Sequence, residues 1–263
     1  MERVPARQDQ GVGQVRTLYF DIETSATVVA TFSLWKPTIG MDQIIEHPYV
    51  LGVSYRWDTM KRAKWVGWNP THGEGEYKKM LQEIHQLLDE SDVLVTYNGV
   101  SFDQPWLEGE LLIHGFAPPS PSRHVDLYRE LKKHSRFISR KLDYAALRLL
   151  ESRKVKHEGI TLWLKCMAGD KKALADMKRY ALKDTDLLVP LYELVRPWMK
   201  AVPNIGITDS IDELVCPACG SENHQRRGFY DTNTGRYQRY QCQDCFKWFR
   251  GVSRVSTTPG RSI

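Results

Sequence analysis

The period of apolar and polar positions changes repeatedly along the chain, and each change marks an element. Leu18-Tyr19-Phe20-Asp21-Ile22-Glu23-Thr24 is an apolar, β-prone run interrupted by two acids, and it predicts a first strand over about 15–24. Successive side chains of a strand alternate sides, so Asp21 and Glu23 share one face while Phe20 and Ile22 share the other. Residues 25–47, with Trp35, Lys36, Pro37 and Gly40, have no period and either rim the end of that strand or cover a sheet edge. Two further strands, 49–57 and 62–68, flank the polar break 58–61, which has the length of a hairpin turn. Tyr77, Met80, Leu81, Ile84, Leu87 and Leu88 recur at helical spacing, giving a helix over 76–88. The continuous apolar run 93–97 reads as a strand buried on both sides.

Asn98-Gly99-Val100-Ser101-Phe102-Asp103 closes that strand and opens a helix through Trp106, Leu107 and Leu111 to about His114. Pro105 is tolerated there because an early helical position needs no N–H. A proline-rich loop at 116–122, a fifth strand at 124–127 and helices at 128–133 and 142–150 follow. A last helix runs from Lys171 towards Trp198, and Pro190 is expected to kink or break it. Residues 15–198 thus form an α/β domain, preceded by a loose polar tail (1–14) and followed by a linker (199–210) containing Pro203, Asn204 and Gly206. A small module (211–255) and a disordered tail (256–263) complete the chain.

A chain of 263 residues with 41% hydrophobic content accommodates one substantial core plus a small module. It lacks an apolar run long enough to span a membrane. Glu2, Arg3, Arg7 and Asp9 exclude a signal peptide at the start, so a cytoplasmic location is expected. The formal charge of +5 is carried alongside 32 acids, so a local acidic cluster implies a stronger basic surface elsewhere, to which nucleic acid is a natural partner.

Asp21 and Glu23, if buried on one strand face, repel each other and lose hydration, and a divalent cation is the commonest remedy. On the surface they would simply be solvated. Asp103, after an apolar strand and just before Pro105, can serve as the N-cap of its helix. Tyr180 and Asp184, four residues apart, share a helical face and read either as site residues or as a surface pair. Asp186 faces elsewhere, and Asp176, Asp126 and Asp143 read as caps or solvated acids. Trp106, Trp163 and Trp198 read as core, and Cys166 as an inert buried thiol.

Asp-x-Glu on the first strand, Asn-Gly-x-x-Phe-Asp before a middle helix and Tyr-x-x-x-Asp on a late helix occur in that order. Together they resemble the three motifs of the DEDD 3′–5′ exonuclease superfamily, in the subclass with tyrosine in the third motif, over residues 15–198. The spacer around Leu34-Trp35-Lys36, Gly40, Asp42-Gln43-Ile44 and Glu46 is similar to exonucleases encoded by bacteriophages, which implies a bacterial or phage-infected host. The resemblance implies a ribonuclease H-like fold, a mixed sheet whose first three strands are antiparallel. It also implies that Asp21, Glu23, Asp103 and Asp184 bind two Mg²⁺ or Mn²⁺ ions, that Tyr180 orients the attacking water, and that Asn98 and Phe102 touch nucleic acid. Hard cations choose oxygen ligands, and a pair of them serves both the attacking and leaving oxygens of a phosphodiester. An ordinary phenol is protonated at neutral pH, so Tyr180 suits holding a water better than deprotonating it.

Of five cysteines, four lie in Cys216-Pro217-Ala218-Cys219 and Cys242-Gln243-Asp244-Cys245, a spacing that favours one structural Zn²⁺ in a reducing compartment. Strands at 225–230 and 236–241 around a turn-rich 231–235 complete a pattern similar to zinc ribbons, including some in transposase and transcription proteins. Arg226, Arg227, Arg236, Arg239, Lys247, Arg250 and Arg254 interleave there with seven aromatic rings, which suits phosphates and stacked bases. Docking onto a replication protein is the other reading of that surface. The expected activity is 3′–5′ hydrolysis of single-stranded or frayed DNA to nucleoside 5′-monophosphates, with any proofreading done in partnership with a separate polymerase. An exoribonuclease of the same fold and a non-catalytic binding or recruitment module are the alternatives.

Overall fold

The computed structural model describes residues 15–33, 35, 38–152, 158–207 and 214–257, and two compact units divide the chain, Arg16–Leu191 and Tyr192–Ile263. The first unit is built on a five-stranded sheet: β1 (Thr17–Thr24), β4 (Val50–Trp57), β5 (Lys64–Gly67), β6 (Val93–Thr96) and β7 (Arg123–Asp126), in the order β5-β4-β1-β6-β7. β5, β4 and β1 are antiparallel, whereas β6 joins β1 and β7 joins β6 in parallel. The stretch without period holds a separate two-stranded ribbon, β2 (Val28–Val29) and β3 (Ile44–Glu46), with a 3₁₀ turn at Met41–Gln43.

Strand alternation sends Leu18, Phe20 and Ile22 of β1 into the larger core, where they meet α1 (Glu74–Asp89) through Tyr77, Met80, Leu81 and Ile84. The same core takes Leu107 and Leu111 from α2 (Asp103–Ile113). Leu51 of β4 packs in a second cluster with Leu162 and Cys166 of α5 (Ile160–Met167) and Ala173 and Met177 of α6 (Lys171–Val195). Two shorter helices, α3 (Leu127–His134) and α4 (Leu142–Leu150), follow β7. Among the described residues no helix is long and apolar enough to cross a membrane.

Pro190 does not end its helix: α6 continues through it to Val195 before a 3₁₀ turn at Arg196–Trp198. Leu187, Leu188, Leu191 and Tyr192 around it are buried, and this packing holds the segment helical despite the missing N–H. Trp198, expected in the core, is 70% exposed, whereas Trp106 and Trp163 pack against the two clusters as expected. Cys166 is fully buried.

The second unit holds an antiparallel sheet of β8 (His224–Thr232), β9 (Gly235–Cys242) and β10 (Trp248–Thr257), in the order β10-β9-β8. The turn between the first two shrinks to Asn233 and Thr234 because the pairing runs to Thr232↔Gly235. β10 has no counterpart in the hydropathy pattern: Arg250, Ser253 and Arg254 break its apolar alternation, yet its backbone pairs along β9. The strand carries Ser256 and Thr257, so the expected tail begins later; its remainder, 258–263, the tail 1–14 and the linker end 208–213 lie outside the described residues.

A buried hydroxyl ties the larger core together. Tyr77 Oη donates to Glu110 Oε2 at 2.6 Å and accepts from the Val50 amide at 3.2 Å, joining α1, α2 and β4. Tyr77→Phe leaves both partners buried and unmatched, and chemical denaturation is expected to show a loss of about 1–3 kcal/mol.

Candidate active-site cleft

β1 is the central strand. Its pairing with β4 places Asp21 opposite Ser54 and Glu23 opposite Gly52, and Glu23 is buried while Asp21 is half-buried. A side chain at position 52 would meet the Trp65 ring at 2.3 Å, so only glycine fits beside Glu23. On the other edge, pairing with β6 reaches only Tyr19↔Val95, because β6 ends at Thr96 and the chain turns away into α2. Beyond that fork Asp103 Oδ1 takes the place of a partner strand, accepting from the Ile22 amide at 3.0 Å. The Asp103 carboxyl therefore sits against the backbone between Asp21 and Glu23. It is 3% exposed, and the helix N-cap is Phe102 with no side-chain capping bond, so the capping reading of Asp103 is set aside.

The loop that delivers Asp103 is fixed at several points. Asn98 adopts a left-handed conformation (φ 68°), and a Cβ on Gly99 would lie 2.2 Å from Thr96 Oγ1. Asp126, buried, accepts from the amides of Asn98 (3.0 Å), Val100 (3.4 Å) and Arg129 (3.2 Å), thereby capping α3 and pinning the loop together. His124 bridges Thr96 Oγ1 (2.8 Å) and Gln104 Oε1 (3.0 Å). The capping role of Asp126 was readable from its place before a helix; its hold on the 98–100 loop was not, since those residues are far apart in sequence.

α6 approaches from the face that carries Asp21. Ser54 Oγ donates to the Ala181 carbonyl at 3.0 Å and meets Thr185 Oγ1 in a very short contact, fastening the α6 turn that contains Asp184 to the β4 residue paired with Asp21. Asp184 is 2% exposed. Tyr180 lies with Asp21 and Asn98 along a cleft of about 990 Å³, and its ring meets Trp163 edge-on at 6.4 Å. Phe137, Arg140 and Lys141, from the connection between α3 and α4, form another wall of this cleft with Tyr97, Tyr128 and Asp143. Phe137, Arg140 and Lys141 were not expected at the site, although Arg136-Phe137-Ile138-Ser139-Arg140-Lys141 is a compact basic and apolar signal, and Asp143, read as a cap or solvated acid, lines the cleft as well. Phe102 is 41% exposed and tilts against Trp106 at 6.2 Å, outside the cleft lining. Asp186 turns away to pair with Arg56 at 2.9 Å, and Asp176 pairs with Arg179 at 3.0 Å.

Burial pushes Asp103 up to about 7, against the lowering effect of the Ile22 amide and with a further rise from Asp126. Burial first, and then the Glu23 carboxylate, raise the Cys166 thiol to about 11. A buried acid beside further carboxylates calls for a hard cation, and the oxygen-only donor set fits Mg²⁺ or Mn²⁺. The four carboxylates do not form a closed cage: among the described residues, the ligand atoms that lie within 4.8 Å of one another in a set of three or more are those of the four cysteines.

The cysteines fit a soft cation. Cys216 and Cys245 sulfurs are 3.6 Å apart, as are those of Cys219 and Cys242. Tetrahedral Zn–S bonds of about 2.3 Å require sulfurs roughly 3.8 Å apart. Burial raises Cys216 to about 11, so loading a cation there releases protons. In the ribbon Arg236 pairs with Asp231 (2.7 and 2.9 Å), Arg239 donates to the Arg227 carbonyl (2.8 Å), and Lys247 donates to the carbonyls of Pro197 and Met199. Arg226 and Arg227 are exposed.

Asp103 is held above its unfolded value, so the native state binds more protons than the unfolded one between about pH 4 and 7, and stability falls as pH rises through that window. Without Mg²⁺ or Mn²⁺, Asp103→Asn is expected to raise the melting temperature at pH 8 and to leave it nearly unchanged at pH 4. Thermal melts at both pH values check this.

The family model RNase_H_2, of the RNase_H superfamily, matches residues 18–196. The fold resembles that of the family B DNA polymerase from the hyperthermophilic archaeon Pyrobaculum calidifontis, with a TM-score of 0.51 and 19% identity over 70% of this chain. The matched part spans 25% of the polymerase chain. None of the curated proteins matches. A mixed sheet with acids on its central strand, a carboxylate closing the strand fork and a family match over most of the chain identify it as a member of the RNase H superfamily, with a nuclease-type domain.

Proposed function

We propose that the chain is a two-metal-ion 3′–5′ exonuclease acting on single-stranded or frayed DNA and releasing nucleoside 5′-monophosphates. The observation that carries this reading is the Asp103 carboxylate bonded to the backbone between Asp21 and Glu23, on the strand whose partner β4 is fastened through Ser54 to the α6 turn that bears Asp184. Asp21, Glu23, Asp103 and Asp184 would hold the two cations. Bound there, Mg²⁺ or Mn²⁺ supplies a nucleophile at neutral pH and neutralises charge on the phosphorane-like transition state. Tyr180, which lines the cleft with Asp21, would orient the attacking water by hydrogen bonding. Asn98, which lines the cleft and is held by the Asp126 clamp, would touch the nucleic acid there, and Phe102, exposed outside that lining, would meet it beyond the cleft.

The unit after the linker at about 199–210 is a zinc ribbon whose four cysteines carry one structural Zn²⁺ and whose basic side chains, among them Arg226, Arg227, Arg239 and Arg250, help to hold nucleic acid. A separate polymerase or other replication protein is the proposed partner, and the cytoplasm of a bacterial or phage-infected cell the proposed location.

With 5′-labelled single-stranded DNA and Mg²⁺, the native chain should give a ladder shortening from the 3′ end, and a matched RNA should be cut more slowly. Asp21→Ala should reduce cleavage by about 100-fold or more while binding persists. Undiminished cleavage by that variant removes the assignment. Removing residues 199–263 should weaken binding and flatten its dependence on salt.

A further inference from the structure

The ribbon sheet has two unlike faces. Register puts Cys242, His224, Tyr240 and Phe249 on one of them. There Tyr240 and Phe249 stack at 5.5 Å and His224 meets both rings edge-on, a small core beside the cysteine cluster. The other face carries Tyr230, Tyr237, Arg239, Trp248, Arg250 and Arg254, because Tyr230 and Arg254 pair with Tyr237, Arg250 pairs with Arg239, and Trp248 pairs with Gln241 of the same alternation. Rings and guanidinium groups interleave on it: Arg250 lies 3.8 Å from the Tyr237 ring centre, Arg239 lies 5.1 Å from that of Trp248, and Arg254 donates to Tyr237 Oη at 3.2 Å. Tyr230 and Trp248 are about half exposed.

Charge separates the faces further. Residues 224–257 contain seven basic side chains and two acids, an excess equal to the +5 of the whole chain. Neither acid touches the aromatic–arginine face: Asp231 is bonded to Arg236, which alternation places on the opposite side, and Asp244 is held by Ser221 and Asn223. Lys247 is engaged by the Pro197 and Met199 carbonyls.

We infer that the Tyr230–Tyr237–Trp248 face of the ribbon is a platform for single-stranded nucleic acid, on which unpaired bases stack on Trp248 and Tyr230 while Arg239, Arg250 and Arg254 hold phosphates. Half-exposed rings between fixed guanidinium groups match unpaired bases alternating with phosphates, and neither acid of the ribbon strands opposes the nucleic acid. Arg236, paired bidentately with Asp231, and Lys247, held by two backbone carbonyls, act instead as internal ties of the ribbon, whereas Arg239 gives its Nε to the Arg227 carbonyl, which holds its guanidinium over the Trp248 ring. This inference rests on the nucleic-acid reading proposed above and assigns it to one face.

The test uses the full chain carrying Asp184→Ala, so that the oligonucleotide survives, and follows the anisotropy of a labelled oligothymidylate of about 20 nucleotides as salt is varied. Arg239→Gln with Arg250→Gln should weaken binding about tenfold or more and lower the salt slope by about 1.4, roughly 0.7 for each phosphate left without its guanidinium. Trp248→Ala should weaken it about 5- to 100-fold with the slope unchanged, and Trp248→Phe should restore most of the loss. Arg236→Gln should stay within about twofold of the parent. Zinc content and melting temperature equal to the parent's establish that each variant is folded. Folded Arg239→Gln/Arg250→Gln protein that binds like the parent, or an equal loss in Arg236→Gln, overturns the inference and leaves the surface to a protein partner. Cleavage of a dinucleotide by chains with native Asp184 is read separately, so failure of the platform and failure of the nuclease reading are told apart.

Discussion

The bond from the Ile22 amide to Asp103 is the constraint on which the cleft depends. A parallel neighbour normally satisfies a central strand along its whole length, but β6 leaves β1 after three residue pairs. The amide exposed by that departure needs an acceptor, since a buried unmatched N–H costs about 1–3 kcal/mol. Filling the gap with a carboxylate rather than a carbonyl brings negative charge to the backbone between two acids. The sheet therefore concentrates charge where its own hydrogen bonding is incomplete, and the Asp126 clamp and the Thr96–Gly99 contact keep the loop from relaxing away.

α6 meets this arrangement from the opposite direction through small polar contacts. Ser54 and Thr185 are short enough to let the helix lie close to β4, and the Ala181 carbonyl takes a hydrogen bond from the strand side chain. Larger side chains at either position would lift Asp184 off the sheet. The two compact units also divide the electrostatics: buried acids in the first, and in the second three ribbon strands whose span, 224–257, sets seven basic side chains against two acids.

Much of this was legible in the sequence because it depends on local period and spacing. Two acids two residues apart on a strand must share a face, and α1 and α4 followed from apolar recurrence, as did the paired Cys-x-x-Cys turns. What escaped depends on contacts between distant residues. The fork at Tyr19, which decides whether Asp103 caps a helix or completes a strand edge, is set by where two strands diverge, and no local pattern records that. β10 escaped because its polar residues are tolerated on the open faces of a three-stranded ribbon, where there is little core to impose alternation. At Pro190 a break was one of two expected outcomes, and packing of the residues around it keeps the helix continuous despite one absent hydrogen bond.

The fork in β1 has a second consequence. A strand left bare on one side is a template for pairing with a strand of another molecule, and proteins commonly block such edges with charge. Asp103, lodged against Ile22, is an ionisable plug in the stretch of the central strand that β6 has left behind. With Ile22 4% and Asp103 3% exposed, that stretch is closed from within the fold and is out of reach of a strand from another molecule.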